Sequence, residues 1–476
     1  MIHIPILRWG EPYYSLKRAT LADIRTGEPV AQMSLANGGL IGRDLGRAGE
    51  SQRRLATVGC EELVEICGRA AEFFVDGELP LGEGGQSPQE YIALLSATTG
   101  MPQSLCRRNS EKIRLVLSEM RGVLDGLTRG MKLSVLDAGW GEQEGRMLSY
   151  LRQADALGAV LPNNSPGVHS LWLPAIPLKV PLALKPGSEE PWTPYRIAQA
   201  FIAAGCPPEA FGFYPCDYGA ATQILLRCER SMVFGGEATV GPWRGDSRVE
   251  IHGPGRSKIL FGEDAVDEWE DHLDVVVASV AENGGRSCIN ASGVWVPSRG
   301  REIAEGLARR LAQIEPRALD DADAELAAFS NPVVAHRLSE LIDRQLKTPG
   351  AEDLTAKVRG ADRVAEVGGC TFLRPTVIWC EDPEHPLANA EYLFPFVAVV
   401  EMPQRELLQA IGPTLVATAI TADESFIGEL LACTSVDRLN LGPMQTNRIS
   451  WDQPHEGNLF EFLYRQRAFA AMPKRA

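Results

Sequence analysis

The residue in this chain best suited to covalent chemistry is a cysteine just beyond a glycine pair, Cys288 in Glu282-Asn283-Gly284-Gly285-Arg286-Ser287-Cys288-Ile289-Asn290, after a helix-like apolar run. A thiolate is a strong nucleophile and a thiol a weak one, so a reacting cysteine needs backbone N–H groups, a helix end or a nearby base that favours ionisation. Gly284 and Gly285 supply the freedom such a turn requires. Most cysteines are simply buried apolar residues, and with ten in the chain Cys288 must be singled out by its company.

Candidate company lies upstream. Asn164 follows the apolar run Gly158-Ala159-Val160-Leu161, and Lys185 closes Pro181-Leu182-Ala183-Leu184. The segment from Gly158 to Pro215 reads as successive strand–helix units, with Tyr195 to Ala204 helical, and this alternation implies a parallel sheet. Such sheets bind ligands beyond the carboxyl ends of their strands, where both residues fall, although each also reads as a turn residue or a solvated lysine. A third unit ends at Ser231-Met232-Val233-Phe234 and runs into Gly235-Gly236. Glycines there let the backbone approach a pyrophosphate, or simply make a turn.

Other elements frame these units. Asp23 to Glu28 reads as a turn joining two short strands. Apolar residues recur at helical spacing from Ser51 to Val75 and again from Glu111 to Leu127, which predicts two amphipathic helices. Met131 to Leu151 fits a hairpin turning at Gly139-Trp140-Gly141, an edge suited to subunit pairing. Near the end, Asn440 to Phe460 is dense in polar and aromatic residues, and Glu461 to Phe469 reads as a last helix or strand. His455 and Glu456 lack a spaced third ligand, so no metal site is expected.

A chain of 476 residues, 45% hydrophobic, is long enough for two or three domains. Its net charge of −15 disfavours nucleic acid or an anionic membrane as a partner. The cysteines are scattered, without a Cys-x-x-Cys pair, and no apolar stretch is long enough to span a bilayer. These features suggest a reducing, cytoplasmic setting.

Taken in order, several motifs resemble those of the aldehyde dehydrogenase superfamily. Thr26-Gly27-Glu28 is similar to its early Thr-Gly-Glu turn. Pro162-Asn163-Asn164-Ser165-Pro166 resembles Pro-Trp-Asn-x-Pro, and Phe234 to Gly241 resembles Phe-Thr-Gly-Ser-x-x-Val-Gly. Asn283 to Cys288 resembles Asn-x-Gly-Gln-x-Cys, Gly368 to Val377 resembles Gly-x-(Tyr/Phe)-x-x-Pro-Thr-(Leu/Val), and Glu391 lies four residues before Pro395, as a family glutamate does. The resemblance implies an α/β fold with a Rossmann-type cofactor domain, an α/β catalytic domain and a small oligomerisation hairpin. It divides the chain into 1–130 and 156–254 for dinucleotide binding, 255–445 for catalysis, and 131–155 with 446–476 as bridging segments of a homodimer or homotetramer.

It also implies roles. Cys288 would attack an aldehyde, Asn164 and the Cys288 N–H would hold the oxyanion, and the thioester left by hydride transfer would be released by water or by a coenzyme A thiol. Pro162, Lys185, Ser188, Gly236, Glu237 and Glu391 would hold NAD or NADP. The chain departs from the family pattern where the general base belongs: Val249-Glu250-Ile251-His252-Gly253-Pro254-Gly255-Arg256-Ser257 offers His252 or Glu250, two residues that share one face of an extended strand. Ser188 replaces a glutamate common in NAD-preferring members, with Glu189 and Glu190 directly after it, and only Pro242 to Arg248 stands where a longer helix is usual. The altered base region leaves a second expectation, a weakly catalytic dinucleotide-binding oligomer.

Overall fold

The computed structural model describes residues 1–450, 453 and 457–470. Two seven-stranded sheets carry the molecule. The first is built on five parallel strands, β1 (Leu157–Val160), β2 (Leu182–Lys185), β3 (Phe211–Phe213), β4 (Arg230–Phe234) and β5 (Val249–His252), in the order β5-β4-β1-β2-β3, with strands Ile6–Arg8 and Glu11–Tyr13 antiparallel beyond β3. Strands β1 to β4 are short, mostly apolar runs because both faces are covered. Leu182, Leu184, Phe211 and Phe213 enter the core beneath helices α1 (Gln103–Ser118) and α2 (Trp192–Ala203), while Ala183 faces a separate cluster around Ile224. Strand order reverses between β1 and β4, which opens a crevice at their carboxyl ends.

The second sheet runs β8-β9-β7-β6-β10-β11 in parallel: β6 (Ser257–Phe261), β7 (Ala291–Val296), β8 (Thr376–Cys380), β9 (Phe396–Glu401), β10 (Thr414–Ile420) and β11 (Val436–Leu441). Ala351–Asp353 adds an antiparallel edge. Helix α3 (Leu273–Ala281) precedes the glycine turn before Cys288. From the carboxyl end of β5 the chain passes in four residues, Gly253 to Arg256, to the amino end of β6. The amino ends of β6, β7 and β9 therefore supply the loops that meet the crevice of the first sheet, a placement that the carboxyl-end rule does not anticipate.

Several expected elements shift. The helix expected over Ser51–Val75 is two, Ala48–Ala56 and Cys60–Asp76, because Gly59 takes extended backbone and Cys60 N–H donates to the Asp137 carboxylate. The second expected helix divides at Glu119, whose backbone leaves helical geometry (φ −93°, ψ 18°), into α1 and Met120–Thr128. Gly139 does not turn the expected hairpin; it caps the helix Ser134–Ala138 with left-handed backbone. The hairpin instead pairs Gly141–Gln143 with Arg146–Leu148 around Glu144 and Gly145, both of positive φ, the turn that matches strand twist. Strand Tyr150–Arg152 pairs with Tyr464–Gln466, which follows a last helix, Leu459–Leu463. The segment beside β5 is one helical turn, Glu237–Val240, and a 3-10 turn, Gly241–Trp243, as the shortened spacing requires. His455 and Glu456 lie outside the described residues. Among the described residues no helix is long and apolar enough to cross a membrane.

Candidate active site

Cys288 opens onto a cavity of about 820 Å³ that Pro162, Asn164, Lys185, Gly236, His252 and Glu391 also line. Three consecutive residues before it, Asn283, Gly284 and Gly285, have φ of 57°, 65° and 68°, a left-handed run that only glycine and asparagine adopt readily. A Cβ on Gly285 would lie 2.4 Å from the Pro395 nitrogen, so this glycine is also required by close approach to the loop before β9. Beyond the turn, Asn290 Oδ1 accepts from Ser287 N–H at 2.9 Å, and its Nδ2 donates to the carbonyls of Ser279 and Glu282. Ser257 Oγ donates to the Cys288 carbonyl at 2.9 Å. Gly255 packs so closely on the same carbonyl that a Cβ would come within 2.0 Å of its oxygen. The backbone around Cys288 is thus fixed from three loops.

Exposure sets Cys288 apart from most of the other thiols. Cys60, Cys228 and Cys380 are buried, and desolvation pushes each up to about 12, where it stays protonated. Cys288 is half-buried and faces the cavity.

Asn164, four residues beyond β1, donates from Nδ2 to the Arg286 carbonyl at 2.7 Å. Arg286 turns its guanidinium away from that contact, to the carbonyls of Thr99 and Ala328, and burial lowers its pKa to about 10. Asn109 of α1, Ser165 and Asn283 form a buried hydrogen-bonded ring beside Asn164 and Cys288, and Asn109 and Ser165 line the same cavity.

The glycine pair after β4 behaves as a cradle. Gly235 has φ of 158°, with the Thr239 side chain 2.8 Å from where a Cβ would sit, and a Cβ on Gly236 would meet nothing within 4 Å. Lys185, the last residue of β2, is largely buried, which lowers its pKa. Glu189 bends back onto the Asn163 amide, accepts from Ser188 Oγ at 2.7 Å and donates its own N–H to Asn163 Oδ1 at 3.2 Å. Gly187 permits this closure, since a Cβ there would lie 1.9 Å from Asn163 Oδ1.

Not every expected residue reaches this cavity. Ser188 borders a neighbouring hollow of about 540 Å³ instead. Glu237 turns to solvent and pairs with Arg244 at 2.8 Å. His252 lines the main cavity with its ring stacked on Phe234, centroids 4.3 Å apart, and also borders an adjoining hollow of about 60 Å³ that Glu250, on the same face of β5, lines as well. Glu391 accepts from Gly255 N–H at 3.3 Å and from Arg256 N–H, so it grips the link between the sheets; burial raises it to about 7. Nearby, Lys258 is buried in β6 and burial lowers it to about 7. Asn109 and Lys258 fall outside the sequence motifs, while Asn290, Gly255 and Glu189 lie within or beside them without a role of their own. A lysine inside an otherwise apolar strand was the one visible signal, Lys258 in Lys258-Ile259-Leu260-Phe261.

Crevice, cradle and cysteine define a two-sheet α/β protein with a thiol between a dinucleotide-type groove and the second sheet. Residues 24–411 match the model of the aldehyde dehydrogenase family, and the chain belongs to that family. It is 24% identical to the phenylacetaldehyde dehydrogenase of Pseudomonas fluorescens over 286 residues, 57% of this chain and 52% of that protein, so the match spans about half of the relative's length. Its fold is similar to the NAD⁺ complex of an aldehyde dehydrogenase from Bacillus cereus (TM-score 0.76, 15% identity, 98% of this chain and 96% of that one). It is equally similar to 3,6-anhydro-L-galactose dehydrogenase in complex with NAP (TM-score 0.77, 13% identity, 98% and 99% covered).

Proposed function

We propose that this chain oxidises an apolar aldehyde to its carboxylic acid with a nicotinamide dinucleotide, using Cys288 as the nucleophile. The observation that carries the reading is the convergence of Cys288, Asn164 and His252 on one cavity that continues into the glycine cradle after β4. The cradle fits a dinucleotide: Gly236 leaves open space where a phosphate backbone would approach, and Lys185 and Pro162 border the same groove. When bound, the dinucleotide supplies a hydride acceptor.

The chain's own residues do the rest. Cys288 Sγ forms a bond to the aldehyde carbon, and the oxygen takes up the electron pair of the C=O bond. The Asn164 amide is the side-chain donor placed to stabilise that oxyanion. Loss of hydride leaves a thioester on Cys288. His252, on the cavity wall, takes a proton from water as the water oxygen bonds to the acyl carbon; the C–S bond then breaks and the acid leaves. Glu250 lines the adjoining hollow and His252 the main cavity, which supports His252 for that step. Much of the remaining wall is apolar, with Val116, Val168, Leu171, Phe329 and Ile449, which suits a hydrocarbon skeleton beside the polar groups of Lys112, Ser170 and Asn447. The carboxylate of Glu189, held by Asn163 and Ser188 at the rim, favours NAD over NADP, since a 2′-phosphate would meet it as a like charge.

The test is formation of reduced dinucleotide from phenylacetaldehyde and a series of aliphatic aldehydes with NAD or NADP, with and without coenzyme A. Activity independent of coenzyme A and abolished in Cys288→Ala is expected. Undiminished turnover in that variant, or none with any aldehyde, would sink the reading.

A further inference from the structure

We propose that Asn109 is a positioning residue that sets Asn164 against Cys288, an inference resting on the dehydrogenase reading above. Asn109 lies in α1, far in sequence from both loops, and is 2% exposed. Its amide orientation is fixed by two backbone groups of opposite character. The Leu105 carbonyl can only accept, so Asn109 Nδ2 faces it at 2.9 Å. The Gly167 N–H can only donate, so Oδ1 faces it at 3.2 Å.

With both ends fixed, the remaining bonds have one direction. Asn109 Nδ2 donates to Asn283 Oδ1 at 2.6 Å. Asn283 must then present its Nδ2 to Ser165 Oγ at 3.0 Å and Ser287 Oγ at 3.1 Å. The Ser165 hydroxyl closes the ring by donating to Asn109 Oδ1 at 3.1 Å. Ser165 and Asn283 are 4% and 5% exposed, so these bonds form in a largely buried setting.

The ring joins the neighbours of the two reacting groups. Ser165 follows Asn164, and Ser287 precedes Cys288. The two loops come from different sheets, Asn164 after β1 and Cys288 before β7, and their spacing has to be imposed by tertiary contacts. An oxyanion donor displaced by a fraction of an ångström loses much of its effect. Asn283 also needs a side chain that tolerates its left-handed backbone while offering both a donor and an acceptor, which asparagine alone does here. Aspartate at 109 would lose both donated bonds and bury a charge.

If Asn109 acts through Asn164, their effects overlap instead of multiplying. The experiment is a double-mutant cycle of Asn109→Ala, Asn164→Ala and the pair, read as the single-turnover rate of reduced dinucleotide formation with phenylacetaldehyde and NAD. Asn164→Ala should slow it roughly 100-fold, Asn109→Ala about 10-fold or more, and the double variant no further than Asn164→Ala alone. NAD affinity and iodoacetamide alkylation of Cys288 should stay within about twofold, which a loosened fold would not allow. Should Asn109→Ala fail to fold, Ser165→Ala takes its place in the same cycle.

A second readout omits the dinucleotide: protection of Cys288 from alkylation by aldehyde, which reports thiohemiacetal formation alone. Weaker protection in the Asn109 variant, with no additivity to Asn164→Ala, supports the proposal even where hydride transfer is absent and the dehydrogenase reading fails. Multiplying effects in the double variant, or wild-type rate and protection in Asn109→Ala, would overturn it. Absence of both turnover and protection in the wild-type chain would overturn it together with that reading.

Discussion

Asn164 Nδ2 donates to the Arg286 carbonyl at 2.7 Å, which ties the loop after β1 to the residue two before Cys288. The amide thereby rests against the Cys288 loop, and under the proposed mechanism its remaining N–H serves the oxyanion. Asn164→Ala removes the donor and leaves the nucleophile in place. A fall in kcat of roughly 100- to 1,000-fold is expected, with iodoacetamide alkylation of Cys288 little changed. A parallel loss of alkylation would show that Asn164 shapes the thiol and not the oxyanion.

His252 and Glu250 alternate with Ile251 along β5, yet only His252 reaches the main cavity. His252→Gln keeps a planar polar side chain against Phe234 and removes the base. It should give one rapid equivalent of reduced dinucleotide and then at least about 100-fold slower turnover, because acylation needs no base at that position while deacylation does. Glu250→Gln should turn over within a few-fold of wild type. Equal steady-state losses with no burst in either variant would refute the assignment.

The rim carboxylate gives a cofactor test. Glu189 is fixed by Asn163 and Ser188, so its charge cannot swing away from an incoming 2′-phosphate without breaking those bonds. Wild type should prefer NAD in kcat/KM, and Glu189→Gln should shrink that preference by on the order of 10-fold, mainly through KM for NADP. An unchanged ratio would place the discrimination elsewhere.

Gly255 has an ordinary backbone conformation, and its role is space. A methyl group there would sit 2.0 Å from the Cys288 oxygen and 2.8 Å from its carbonyl carbon. Gly255→Ala must therefore push the link between the sheets and the catalytic loop apart. A stability loss of about 2 kcal/mol in urea melts is expected, with a larger relative loss in single-turnover rate than in NAD affinity. Wild-type rates would mean that the Cys288 backbone is not position-sensitive.

The two kinds of information in this sequence had different fates. Strands β1, β2 and β4 and the loops after them were legible because a strand buried on both faces is a short apolar run closed by turn residues, and Asn164, Lys185 and Gly236 were visible at those ends. Cys288 was legible from its glycine turn. Asn109 was not, because an asparagine within an amphipathic helix carries no local sign that its partners lie after β1 and before β7. Ser188 and Glu189 stand side by side in the sequence, and which of the two turns onto Asn163 depends on how Gly187 lets the loop fold. The hairpin lies beyond Gly139 because that glycine ends a helix, a use that local pattern does not separate from a turn.

Lys258 offers a pH test of the base of the second sheet. Its Nζ is buried, donates to the Arg256 carbonyl at 2.8 Å and to Thr414 Oγ1 at 3.1 Å, and burial lowers its pKa from 10.5 to about 7. The unfolded chain therefore binds a proton that the folded chain releases between pH about 7 and 10.5, and the lysine's contribution to stability rises with pH across that window. Below about 7 both states are charged and the full cost of burying the ammonium is felt; above 10.5 both are neutral and it vanishes. Glu391, raised to about 7 from 4.5, acts in the opposite sense at lower pH, its contribution falling as pH rises from 4.5 to about 7. Lys258→Met removes the first effect and, with it, the attraction by which Lys258 lowers Glu391. The melting temperature of wild type relative to Lys258→Met should climb from pH 7 to pH 10, by an amount on the order of a few kcal/mol in stability. A difference that stays flat over that range would show that Lys258 is charged in the folded protein, held so by Glu391 or by solvent reaching the amino end of β6.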